Sequence, residues 1–317
     1  MIKIVYFSTG FAGAQTLKHL SRCKDLQIKD IFVTSYPKSK FLIKEGVYFL
    51  AKKLGYSPII FKSWNEVLNV LKKDSVSACV VCDFGKIIPK SLIENVDGGW
   101  WNIHFSLLPK YRGATPLQTA ILNGEKFTGT TIFKIEPSVD TGKILCQKKI
   151  PIKGDDNFGK LAEKLGKISV AILCKYLPKY MKGEVELIPQ RGMPSYCDIN
   201  ITDSQNTKLL WTDSIEKIDR KIRAFSPQPG AWSYFKDFKG KNIIVKIIDG
   251  EIFFDKVKIR NKPKELASVE KIGKAIFVNC CNGLYKLKTV SVSGKGIIDA
   301  LSFWNGYCSK LKSPMFK

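Results

Sequence analysis

The sequence predicts an α/β fold in two parts, a Rossmann-like parallel-sheet domain followed by a small OB-like β-barrel. Three observations predict it. Short apolar runs alternate with helical patterns through the first half, which implies right-handed crossovers and a parallel sheet covered on both faces. After Gly230 the pattern changes to short runs rich in Val, Ile, Phe and Tyr, divided by Gly or Asn. The chain has 317 residues, which at about 150 residues per domain corresponds to two. The expected division is 1–190 for the first domain, 191–212 for a linker and 213–317 for the barrel.

In the first domain, 2–8 and 30–34 read as strands around a helix at 13–23. A helix at 47–54, a short strand at 59–61, a helix at 64–72 and strands at 76–83 and 100–104 follow. Strands at 130–135 and 143–150 flank a turn-rich stretch. Asp155 and Asp156 then offer capping oxygens to a helix. Its apolar face is read as Leu161, Leu165, Ile168, Ile172, Tyr176 and Tyr180, ending at Gly183. Residues 184–212 carry no strong periodicity. The second domain opens with a helix at 213–224, continues with strands at 232–238, 242–248, 252–259, 275–279 and 284–292, and closes with a helix at 297–304.

Composition narrows the class. Hydrophobic residues make up 44% and aromatics 11% of the chain, enough for packed cores. No apolar run approaches the roughly 18 residues that span a bilayer, and the N-terminus reads as a strand, so a cytoplasmic protein without membrane contact is expected. Nine cysteines are scattered through apolar segments. Cys79 and Cys82 have metal-site spacing, but strand alternation points them to opposite faces. All nine read as small buried residues. The 52 basic residues against 28 acids give +24, which favours a polyanionic partner. Residues 205–317 hold +12 of it, from 22 basic and 10 acidic residues. Within them Lys208, Lys217, Arg220, Lys221 and Arg223 form a candidate ridge for backbone phosphates.

The residues able to do chemistry are few. Of the two histidines, His19 lies in a helical pattern beside Lys18 and reads as a surface residue. His104 ends a strand, and Asn102, two residues before it, projects from the same face. An amide donor beside an imidazole at the open end of a parallel strand suits oxyanion binding and proton handling. Asp140 lies in a glycine-containing turn after an apolar strand, where a carboxylate reaching His104 would orient its ring. Gly10 and Gly13 follow the first strand and hint at an anion site at a helix N-terminus. The third glycine and the acidic residue of a dinucleotide fingerprint are missing.

Asn102, Ile103 and His104, the run from Ser106 to Gly113 through Pro109, and Val139 to Gly142 together resemble the signature of the folate-dependent formyltransferases. The segment from Phe84 to Pro89 is similar to that family's loop beside the folate. The stretch from Ile218 to Gly230, with Trp211 and Trp232, resembles the entry to the C-terminal barrel of its tRNA-directed member. The resemblance implies 10-formyltetrahydrofolate as donor, no metal, and the amino group of methionine on initiator tRNA as acceptor. Asn102, His104 and Asp140 would be catalytic. Phe84, Gly85, Ile88, Pro89, Ser106, Leu107, Leu108, Pro109 and Val139 would line the reduced folate. Lys38, Lys40 and Lys44 would add to the tRNA surface, in a loop shorter than the family's. Phe105 stands where the family has a small residue, and Ser8, Thr9 and Gly10 replace its Gly-Thr-Pro. A monomer is expected. The rival readings are an amino-sugar N-formyltransferase, disfavoured by the charge and the second domain, and a catalytically inactive basic RNA-binding protein.

Overall fold

The computed structural model describes residues 1–34, 46–73, 75–253 and 265–317, so Lys38, Lys40 and Lys44 lie outside the described residues. The chain divides into two compact units, one of Met1–Ala120, Lys126–Ile152 and Gly159–Ile199, the other of Ile121–Glu125, Lys153–Phe158 and Asn200–Lys317.

The first unit is built on β1 (Ile2–Phe7), α1 (Phe11–Leu20), β2 (Leu26–Val33), α2 (Val47–Lys53), β3 (Ile59–Ile60), α3 (Trp64–Lys73), β4 (Ala78–Val81), α4 (Lys90–Ile93) and β5 (Trp100–His104). There follow β6 (Arg112–Gly113), α5 (Pro116–Leu122), β7 (Phe127–Lys134), β8 (Ile144–Pro151), α6 (Phe158–Met181) and β9 (Tyr196–Cys197). The main sheet has the order β3-β2-β1-β4-β5-β7-β8. The first five strands are parallel, as expected. β7 is antiparallel to β5 and β8 is antiparallel to β7, a departure from an all-parallel sheet. A run of alternating burial cannot reveal strand direction; the return through α5 decides it. The outer strand β8 exposes Lys148 and Lys149 and ends on Pro151, residues that discourage pairing at an edge.

Period-2 alternation sorts the sheet's side chains onto two faces. Val5 and Phe7, Phe32, Cys79, Val81 and Trp100 meet Val67 and Leu71 of α3, Phe84, Ile88 and Leu92 in one core. Trp101, on the other face, packs edge-on against Tyr180 of α6. Cys79 therefore sits in the first core, while Cys82 contacts Thr16 of α1, so the two thiols face opposite ways. Burial pushes Cys79 well up and Cys82 to about 12, leaving both as protonated thiols. The expectation that every cysteine is a buried thiol is corrected. Cys281 is exposed, Cys146 and Cys197 are partly buried, and Cys23 and Cys174, neither fully buried, form a disulfide with Cα atoms 7.0 Å apart. His19 is likewise partly buried, and burial lowers its pKa.

The buried face of α6 is rotated from the one read in the sequence. Leu161, Ala162, Leu165, Ser169, Val170, Leu173 and Leu177 are buried, whereas Ile168, Ile172, Tyr176 and Tyr180 flank them. Small residues set the rotation. A Cβ on Gly166 would stand 3.1 Å from the backbone of Gln15 and Thr16 in α1, so the helices meet where side chains are least bulky.

The second unit continues with α7 (Ser204–Thr207), α8 (Ile215–Phe225), β10 (Ala231–Lys236), β11 (Asn242–Phe253), β12 (Val269–Ile272), β13 (Ala275–Cys280), β14 (Gly283–Val292), β15 (Gly296–Asp299) and α9 (Ala300–Phe303). Its strands pair antiparallel in the order β10-β11-β14-β13-β12, with β15 on β14. The C-terminal tail bridges the two outer strands: Phe316 pairs with Phe235 of β10, and Met315 with Ser268 just before β12. That closure makes the sheet the expected OB-like barrel. Two details differ from expectation. Gly250, read as a strand break, is instead part of an irregularity within β11, where a Cβ would strike the Tyr285 ring. Residues 254–259 of the strand expected after it lie outside the described residues. The closing helix starts later, because β15 takes its expected first turn, and it continues past Phe303 as a π-helical turn over Trp304–Cys308.

Gly166→Leu should destabilise the first unit by roughly 1–3 kcal/mol through overpacking. Gly154→Ala, at a position with no heavy atom within 4 Å of the new Cβ, should be near neutral. Urea midpoints of the two variants check this.

Candidate active site

β5 carries the centre. Trp100, Asn102 and His104 share one face of the strand, and the pairing of Asn102 with Val81 and Phe133 fixes its height in the sheet. His104 is 5% exposed. Its Nε2 lies 2.8 Å from the carbonyl oxygen of Tyr111. A carbonyl can only accept, so Nε2 carries the proton and Nδ1 is the nitrogen turned to Asp140, 3.7 Å from Oδ2.

Asp140 reaches this position because its loop folds back over the sheet. A Cβ on Gly142 would collide with the Lys134 carbonyl, so only glycine lets the loop lie against the end of β7. Asp140 adopts φ +53°, a left-handed conformation that Asp tolerates better than most residues. Its Oδ2 accepts from Gly113 N–H at 2.7 Å, and its Oδ1 from Asn102 Nδ2 at 3.4 Å. Amide, imidazole and carboxylate thus meet around one point.

Tyr111, Gly113 and Ser195 also shape the site; the first two lie inside the motif from Ser106 to Gly113 but were given no role there, and Ser195 was missed in the sequence. Tyr111 holds φ +59°, costly for a bulky residue, with its carbonyl on His104 and its N–H on Ser195 Oγ at 2.9 Å. Ser195 lies in the stretch without periodicity. Only long-range pairing of β6 with β9 reveals its role, and no local pattern encodes that.

The residues expected to line a folate divide. Phe84 packs edge-on against Phe7 and Phe61, and Ile88 is buried in the same core. Gly85, Lys86 and Ile87 are the exposed members of that loop, Ile87 at 74%. Pro89 is partly buried. Ser106, Leu108 and Pro109 are buried and Leu107 partly so. Ser106 Oγ donates to the Lys110 carbonyl, and Leu108 N–H to Thr131 Oγ1. Val139 is exposed beside Asp140.

Asp83 precedes that loop and fills the suspected anion site itself. Taken as a whole residue Asp83 is exposed, but its carboxylate is the part drawn under Gly10, where a Cβ would collide with it, and it accepts from the N–H groups of Gly13 and Ala12. Burial outweighs those bonds and pushes its pKa up to about 6.

Among the basic candidates, Lys208 Nζ stands 5.7 Å from the ring centre of Trp232 and 5.3 Å from that of Tyr234. Lys217 pairs with Asp213, and Lys221 donates to the Lys208 carbonyl. The Arg220 guanidinium lies against Gly124. Arg223 forms an internal ion pair with Asp219 through Nε at 2.7 Å and donates from Nη1 to the Asp156 carbonyl. Among the described residues, no cluster of three or more potential metal ligands occurs, and no helix is long and apolar enough to cross a membrane.

Residues 3–177 match the family model "Formyl transferase" and 202–308 match "Formyl transferase, C-terminal domain". The chain is 33% identical to a methionyl-tRNA formyltransferase of Kosmotoga olearia over 94% of both chains. It is 35% identical to a methionyl-tRNA formyltransferase of Dictyoglomus thermophilum over 86% of this chain and 83% of that one. Among solved structures, HypX from Aquifex aeolicus in complex with tetrahydrofolic acid superposes with a TM-score of 0.66 at 15% identity. That match covers 99% of this chain, which spans half the length of HypX.

Asp83 yields an expected pH dependence. Its folded pKa lies above the unfolded value of 3.8, so its protonated form favours the fold. That contribution is present below about pH 4 and is lost as pH rises through about 6. Asp83→Asn should therefore gain stability relative to the parent across this window, read from urea midpoints at pH 4 and 6.5. An unchanged difference would refute it.

Proposed function

The chain belongs to the formyl transferase family, and on that premise we propose that it transfers the formyl group of 10-formyltetrahydrofolate to the methionyl amino group of initiator tRNA. The observation that carries this reading is the convergence of Asn102, His104 and Asp140 on one face of a strand end. The matching of both domains to methionyl-tRNA formyltransferases over 94% of the chain supports the tRNA acceptor. The amino-sugar alternative is not favoured, since the relatives at 33–35% identity bear the tRNA enzyme's name.

The chemistry follows from the donors and acceptors. The amine attacks the formyl carbon, and the carbonyl electrons pass to the formyl oxygen. Asn102 Nδ2 spends only a long bond on Asp140 and keeps an N–H for that developing charge. His104 Nδ1 accepts the amine's proton. The resulting imidazolium has an acceptor at each nitrogen, the Tyr111 carbonyl and the Asp140 carboxylate. Collapse of the tetrahedral centre breaks the bond to the folate nitrogen, which receives the proton from His104. The folate would rest against the exposed loop of Gly85 and Ile87 and against Val139. The buried side chains of Phe84, Ile88 and Leu108 would support that wall from behind. A cytoplasmic location and a monomeric state fit this role. The division into a catalytic segment at 1–190, a linker at 191–212 and a tRNA-binding barrel at 213–317 is part of the same reading.

His104→Ala or Asp140→Ala should lower kcat about 10²–10³-fold, the usual cost of one preorganised group, with circular dichroism unchanged. Rates within a few-fold of the parent would refute the assignment. Binding of initiator tRNA should weaken steeply with salt. Lys208→Glu should weaken it further and reduce the log–log salt slope by roughly 0.7–0.9, the release expected for one phosphate contact. Fluorescence titration at several salt concentrations reads both.

A further inference from the structure

We propose that Gln190 is a positioning residue for the reaction, holding the Asp140 loop in the conformation that presents its carboxylate to His104. The inference rests on the formyl-transfer reading of the site. The carboxamide nitrogen of Gln190 donates one hydrogen to the Asp140 carbonyl at 2.8 Å and the other to the Gly142 carbonyl at 3.0 Å. Its Oε1 accepts from Arg112 Nη2 at 2.7 Å and from Nε at 3.3 Å. These partners fix the amide's orientation. A flipped amide would set its oxygen against two carbonyl oxygens and its NH₂ against a guanidinium, and none of the four bonds would form.

Asp140 needs such a hold. Its left-handed backbone is tolerated by Asp but is not enforced by it, and Gly142, two residues on, adds chain freedom. Gln190 links the two carbonyls of this stretch to the Arg112 side chain. Arg112 lies between Tyr111, whose carbonyl fixes His104 Nε2, and Gly113, whose N–H fixes Asp140 Oδ2. Three consecutive residues therefore anchor the acid and the base, and Gln190 locks the loop to the same three. These four bonds reach no side chain of the catalytic trio, so Gln190 acts through the Asp140 backbone. The charged and titratable groups around it are the Arg112 guanidinium, the Asp140 carboxylate and the Cys197 thiol, which donates to the Tyr111 and Arg112 carbonyls.

Two substitutions separate positioning from bulk. Gln190→Glu keeps the length and an acceptor for Arg112 but sets an anion against two carbonyls. Gln190→Met keeps the approximate volume and loses every hydrogen bond. Both should lower kcat by about tenfold to a hundredfold, as misplacement of a reacting group does, with KM for donor and acceptor within about threefold. The second readout needs no substrate. Hydrogen exchange at the Gly113 amide, held by Asp140, should quicken in Gln190→Met while the Ile132 amide in the sheet stays protected. Parent-like kcat in both variants, or unchanged Gly113 exchange, would overturn the proposal, as would loss of protection at Gly113 and Ile132 together. Faster Gly113 exchange alone, in a parent that transfers no formyl group, would uphold the clamp and reject the formyl-transfer reading.

Discussion

A carboxylate placed against the edge of an apolar sheet must find donors nearby, and Asp140 finds them on separate segments. Its oxygens take the Gly113 N–H and the Asn102 amide and face the His104 ring. Each partner arrives by a different structural route. Asn102 and His104 are set by strand alternation in β5, Gly113 by the pairing of β6 with β9, and Asp140 by a loop that glycine allows to lie flat. A buried charge without its partners carries a heavy desolvation cost. The site is therefore a point at which distant parts of the first unit must agree.

The glycines after β1 show the same logic with a different outcome. Sequence pattern suggested an anion site at the start of α1, and the N–H groups there are indeed satisfied by an anion. That anion is Asp83, from the chain itself. Gly10 makes room for the carboxylate, and Gly13 makes room for the Ser8 hydroxyl. A glycine beside a helix N-terminus is thus evidence for a close approach, and what approaches is decided by the fold.

Much of the first sheet was legible because it depends on local alternation. The strand ending at His104 matches to the residue, and the shared face of Asn102 and His104 follows from period 2 alone. Legibility stopped where long-range packing chose between equivalent patterns. The apolar residues of α6 allow more than one face, and Gly166 against α1 selected the buried one. The direction of β7, the irregularity at Gly250 and the role of Ser195 each depend on a partner far away in sequence. Among the folate candidates, the motif marked the loop from Phe84 to Pro89. It could not say that Phe84 and Ile88 turn into the core while Ile87 turns out.

Charge needs the same discrimination. The formal +24 counts every cation alike, yet the basic residues of α8 have different fates. Arg223 is consumed by Asp219 inside the second unit, and Lys217 shares its charge with Asp213. Lys221 is half-buried, its pKa lowered first by burial, and spends a hydrogen on a backbone carbonyl. Lys208 differs in kind. Its ammonium rests beside the rings of Trp232 and Tyr234, which attract it without occupying its hydrogens. A polyanion gains from a cation held in place with its donors still available, and aromatic support supplies that state where an ion pair removes it. The electrostatic surface of the second unit therefore depends less on how many lysines it carries than on what each one already touches.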